Sequence, residues 1–113
     1  MRTNYAKLTA DLIKAKKEAE IAAKGEDKGS INLDTLAIFL PRAGNQKVIT
    51  AVKEAGLYTS GARYWNGRRF FINPPRCGQS SSRKRAVQSM FESMRLAGWE
   101  VIVHSEAEPQ LER

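Results

Sequence analysis

The residues best equipped for chemistry lie between Gly61 and Arg95. Arg63, Tyr64 and Trp65, followed by Arg68 and Arg69, flank an Asn66-Gly67 pair. Guanidinium groups fork onto phosphate oxygens and stack on flat rings, while Tyr and Trp rings stack on bases. That combination suits a nucleic acid. A second constellation follows, where Ser80, Ser81 and Ser82 run straight into Arg83, Lys84 and Arg85. The pattern predicts a helix start there, and cations in a first turn oppose the helix dipole. Free backbone N–H groups, hydroxyls and three cations together describe a seat for a phosphate. The contact set expected from the sequence is therefore Arg63, Tyr64, Trp65, Arg68, Arg69, Arg76, Ser82, Arg83, Lys84 and Arg85. Lys47, on an earlier segment, joins it.

Charge distribution points the same way. The chain carries a net charge of +7, and residues 61–95 alone hold eight Lys/Arg against the single acid Glu92. Seven of those eight cations are arginine. Residues 96–113 have the opposite sign, with four acids against one arginine. A one-sided segment repels itself unless an anion meets it, although most charge runs are simply solvated faces.

Little else in the chain suggests catalysis. Cys77 and Arg83 are separated by five residues, which resembles the C-x5-R loop of the cysteine-dependent tyrosine phosphatases over seven residues. The resemblance implies a thiolate and an arginine around a bound phosphate. Pro74-Pro75-Arg76 interrupts the approach, Gly78 is the only intervening glycine, and Lys84 stands where a Ser or Thr would follow. The plainer reading of Cys77 is an incidental loop thiol, and a cysteine-dependent phosphatase stays a remote alternative. One cysteine and one histidine, His104, leave no disulfide and no zinc finger. No nucleotide-binding glycine motif and no His-Glu-x-x-His occurs. No catalytic residue, metal or cofactor is expected, and the protein is not expected to be an enzyme.

The elements that would position these residues predict an α+β fold. Residues 4–24 read as a helix, with Tyr5, Leu8, Leu12, Ala15, Ala19 and Ala22 on one stripe. After Leu12 that stripe is alanine, which buries little area, so the helix is expected to lean on a partner or a second copy, a possible homodimer. A glycine-bracketed linker covers 25–30. Residues 31–42 stay open between a short helix and a buried strand, since the apolar run is too short for periodicity to decide. A helix follows over 46–55, with Gly56 as its stop. Asn-Gly suits a two-residue hairpin turn joining strands 62–65 and 68–72. That register sets Trp65 opposite Arg68, Tyr64 opposite Arg69, and Arg63 opposite Phe70. After a loop over 76–82, a helix capped by a serine spans 83–97, and a strand spans 99–104. The organisation is an N-terminal helix (1–24), one α+β domain (31–104) and a flexible acidic tail (105–113).

With 33–40 helical, residues 33–72 resemble, in layout only, the winged-helix DNA-binding proteins, including the excisionase-like ones of phages and mobile elements. The resemblance implies a helix-turn-helix with the hairpin as wing. Otherwise the hairpin, late helix and final strand form a ββαβ sheet. The function expected is that of a small basic nucleic-acid-binding protein, DNA before RNA, of phage accessory type. The alternative is an inhibitor or accessory factor, anti-CRISPR-like, gripping an acidic surface of a host nucleic-acid enzyme. A cytoplasmic setting is expected, with no membrane partner, because no secretory signal or spanning run is evident.

Overall fold

A computed structural model describes residues 3–105. Among them the chain forms α1 (Tyr5–Ala22), β1 (Thr35–Phe39), α2 (Asn45–Glu54), β2 (Thr59–Tyr64), β3 (Arg68–Ile72), α3 (Ser81–Leu96) and β4 (Val101–His104). The strands make one antiparallel sheet in the order β2-β3-β1-β4. From β1 onward the chain is a split β-α-β-β-α-β unit, with α1 added in front. The acidic tail read at 105–113 lies outside the described residues from position 106 on.

The segment left open between helix and strand is a strand, and a central one. Leu36, Ala37 and Ile38 are fully buried between β3 and β4. Ala37, on the face away from the helices, is as fully buried as Leu36 and Ile38, so the run is apolar without alternation, which is why periodicity could not decide. The helix-turn-helix option falls with this, and so does the winged-helix layout. What precedes α2 is sheet.

The hairpin forms, but one residue out of the expected register. Tyr64 pairs with Arg68, Arg63 with Arg69 and Ala62 with Phe70. The loop holds three residues because the Trp65 amide donates to the Gly67 carbonyl at 2.9 Å and not to Arg68. Asn66 (φ 53°) and Gly67 (φ 92°) supply the left-handed turn. Gly67 also passes so close to the Phe39 ring that a Cβ there would collide with it. A one-residue slip turns every side chain of one strand to the other face. Arg63 and Trp65 therefore share a face with Phe71, not with Phe70 and Ile72.

The core lies on the other face. Leu36, Ile38, Phe70, Ile72 and Val101 point into it from the sheet, and Val48, Val52, Met90 and Met94 from α2 and α3. Helix α1 packs against both α2 and α3 and stands between them. Its stripe of Leu8, Leu12, Ala15 and Ala19 is fully buried within the chain. α3 and α2 cover the stripe, so its burial takes no second copy. Trp99 Nε1 ties α1 to the far end of α3, donating to Asp11 Oδ2 at 2.8 Å.

Candidate nucleic-acid interface

Alternation along the strands sends Thr35, Ala37 and Phe39, then Arg69 and Phe71, then Ile102 and His104 to the face away from the helices. Three rings gather there. Trp65 lies 5.6 Å from Phe71 and 4.4 Å from His104, and Phe71 and His104 meet edge to face at 4.8 Å. The Arg63 guanidinium stacks over Phe71 at 4.6 Å.

Next to this cluster is a cleft of about 240 Å³, lined by Leu33, Thr35, Tyr58, Ser60, Arg63, Phe71, Asn73, Arg83 and His104. A bulge in β2 and an arginine from α3 build it. An extra residue in β2 between Thr59 and Ala62 makes a bulge at Gly61, whose φ is 115°. Bulges re-aim side chains, and this one leaves Ser60 beside Tyr58 in the cleft lining while Thr59 stays buried. From the first turn of α3, Arg83 reaches the cleft while its Nε donates to the Asp34 carbonyl at 2.9 Å. Neither Arg63 nor Arg83 pairs with a carboxylate among the described residues, and no acidic side chain lines the cleft. A larger groove of about 690 Å³ separates the exposed sides of α1 and α2, with Tyr5 and Lys47 on its wall.

The structure brings Arg63, Trp65 and Arg83 together and disperses the rest of the expected set. Arg69 is 6% exposed, with Nε donating to the Asn66 carbonyl at 2.8 Å and Nη1 to the Ala37 carbonyl at 3.2 Å. Arg68 donates to the Leu40 carbonyl at 2.8 Å and lies over Phe70. These two arginines hold the sheet together at the tip. Tyr64, 82% exposed, alternates to the side of the hairpin opposite Trp65. Arg76 and Lys84 are exposed, in the loop and on α3. Lys47 lies over the Tyr5 ring at 5.8 Å, in the helical layer away from the cleft.

The phosphate seat expected at the start of α3 is filled from inside the chain. Asp27, in the linker, takes the amide of Ser80 (2.9 Å) and that of Ser82 (3.0 Å) on Oδ1 and that of Gln79 (3.1 Å) on Oδ2. Ser80 makes no side-chain cap, so the expected serine cap is an aspartate from another part of the chain. The Ser82 hydroxyl donates to the Ala23 carbonyl at 2.8 Å and is 2% exposed. Arg85 turns away to the end of α1, where Nε donates to the Ala22 carbonyl at 2.8 Å. Its Nη2 donates to the carbonyls of Lys24 (3.1 Å) and Glu26 (2.9 Å). Cations at this helix start therefore have an internal partner: the carbonyl end of the neighbouring helix.

The same contacts bear on Cys77. The amides of Gln79 and Ser80, within its C-x5-R loop, are already taken by Asp27. Burial pushes the Cys77 thiol above its ordinary pKa, against the pull of Arg83, which disfavours a thiolate. Among the described residues no three His, Cys, Asp or Glu side chains come together as metal ligands, and no helix is long and apolar enough to cross a membrane.

Tyr58, Ser60, Asn73 and His104 are cleft residues that pattern reading passed over. Alternation over 99–104 does place His104 opposite Trp99, Val101 and Val103. Nothing local, however, tells that β4 pairs with β1 and so brings His104 to Trp65. No family model, curated protein or solved structure matches the chain.

Proposed function

We propose that this chain binds single-stranded nucleic acid on the open face of its sheet. The observation that carries the reading is the convergence of Arg63, from β2, and Arg83, from α3, on one acid-free cleft beside the Trp65–Phe71–His104 cluster. Cations along a backbone path with rings beside them are what single strands need, because their bases are free to stack. A four-stranded sheet with aromatic side chains on its open face is one way proteins hold such bases. A duplex hides its base faces and is read through its grooves, usually by a helix. The exposed positions of α2 (Gln46, Lys47, Thr50, Lys53) are only mildly basic. Stacking and phosphate contact are common to DNA and RNA, and without a winged-helix layout neither is favoured.

Anisotropy titrations with single-stranded and duplex oligonucleotides at two salt concentrations test the proposal. Single strands should bind more tightly, with affinity falling as salt rises by a log–log slope of about 0.7 per phosphate contacted. Arg63→Glu and Arg83→Glu should each weaken binding about tenfold or more. Duplex preference, or affinity indifferent to both changes, would sink the reading.

A further inference from the structure

The cleft beside the ring cluster is small and cationic. At about 240 Å³ it is smaller than the roughly 300–1,000 Å³ pockets that enclose drug-sized ligands. Two guanidinium groups face it with no acid between them, and like charges confined together repel unless an anion separates them. Arg63 donates no hydrogen bond, and Arg83 uses only its Nε, among the described residues. Their remaining N–H groups are available to oxygens in the cleft. Tyr58 and Ser60 add hydroxyls with no hydrogen-bond partner among the described residues, and Asn73 adds an amide.

An internal phosphodiester offers one negative charge and two free oxygens, with both ends tied to the chain. A terminal phosphate monoester carries about −1.5 to −2 charge near neutrality and offers three acceptor oxygens. Two arginines with hydroxyls beside them match the second, since each guanidinium can fork onto a pair of its oxygens. Phe71, buried under Arg63, and His104 wall one side, and the half-buried Trp65 and His104 rings would receive the adjoining base.

We infer that this cleft holds the terminal phosphate monoester of a single strand, so that the protein recognises a phosphorylated end. The inference rests on the single-strand reading above and adds what the cleft selects. Its test uses the full chain and one short single-stranded sequence in three forms: 5′-phosphate, 3′-phosphate, and hydroxyl at both ends. One phosphorylated form should compete about tenfold better than the hydroxyl form in anisotropy. Which of the two does so identifies the end. Arg63→Gln and Arg83→Gln should each erase that advantage while leaving weaker binding of the hydroxyl form. If either variant fails to fold, amide and side-chain shifts of the wild-type protein titrated with a nucleoside monophosphate replace it. Those shifts should be centred on Tyr58, Ser60, Arg63 and His104. Equal affinity for all three forms, an advantage that survives both substitutions, or shifts centred elsewhere would overturn the end-recognition site and leave the single-strand reading standing. Failure of every form to bind would remove both.

Discussion

Asp27 shows how a single residue can decide what a charged turn is for. Its carboxylate satisfies three amides at the head of α3, and Gly78 leaves room for it, because a Cβ at that position would run into its oxygens. The amide of Ser82, then those of Ser80 and Gln79 with Arg85 nearby, outweigh desolvation and hold its pKa below the ordinary 3.8. A carboxylate with a depressed folded-state pKa stabilises the fold above its unfolded pKa, and that contribution is lost as pH falls through the folded value. Asp27→Asn keeps the shape, removes the charge, and turns an N–H₂ toward the Gln79 amide. The variant should melt below the wild type at neutral pH, and the gap should narrow as pH drops below 3.8. Thermal melts at several pH values check this, and a gap that stays constant into acid would show that the charge contributes nothing. In sequence, Asp27 is an undistinguished linker residue more than fifty positions from the amides it caps. Local pattern cannot show such a partner, so the serines and cations of 80–85 pointed to an external anion.

At the scale of elements, α1 and α3 are clasped end to start. Helix α1 has no basic residue in its last turn, and its final carbonyls would be left to water. Arg85 supplies the missing donors through Nε and Nη2, spread across Ala22, Lys24 and Glu26. The donors of a planar fork are spread over two nitrogens, wider than those of one ammonium, so Arg85→Lys should cost about 2–3 kcal/mol in a denaturant titration despite keeping the charge. A loss under about 0.5 kcal/mol would mean that water serves these carbonyls equally well. The ends of α2 and α3 were legible because Gly56 and Gly98 follow them, but the start of α3 was not, since its cap is Asp27 from the linker and not a serine of its own. The hairpin was legible from Asn66-Gly67, but its register was not. Two-residue and three-residue loops share that dipeptide, and the choice here involves Phe39 packed beneath Gly67 from another strand. That choice also decides the candidate site, since it is what sets Arg63 and Trp65 on the open face.

At the scale of the whole molecule, the question is whether residues 31–104 form a domain to which α1 is merely attached. The sequence suggests so, because the stripe of α1 thins to alanine and a polar linker follows it. Packing says otherwise. Ala15 and Ala19 are fully buried in the same cluster as Ala86 of α3, and small residues on facing helices allow their axes to approach closely. Leu8 and Leu12 lie in one cluster with Phe70, Met90 and Met94, so α1 is the layer that closes the core between α2 and α3. Removing it would leave Met90, Met94 and the inner face of the sheet in water and would take the Ala22 carbonyl from Arg85, and a cut at residue 31 also removes Asp27, the cap of α3. Leu12→Ala should therefore cost about 3–5 kcal/mol, the range for a fully buried leucine whose surroundings cannot collapse. A fragment covering 31–113 should show neither a cooperative melt nor dispersed amide resonances. Cooperative unfolding of that fragment would make α1 an accessory to a self-sufficient sheet. It would also free the apolar stripe of α1 to meet a second copy, and the homodimer expectation would return with it.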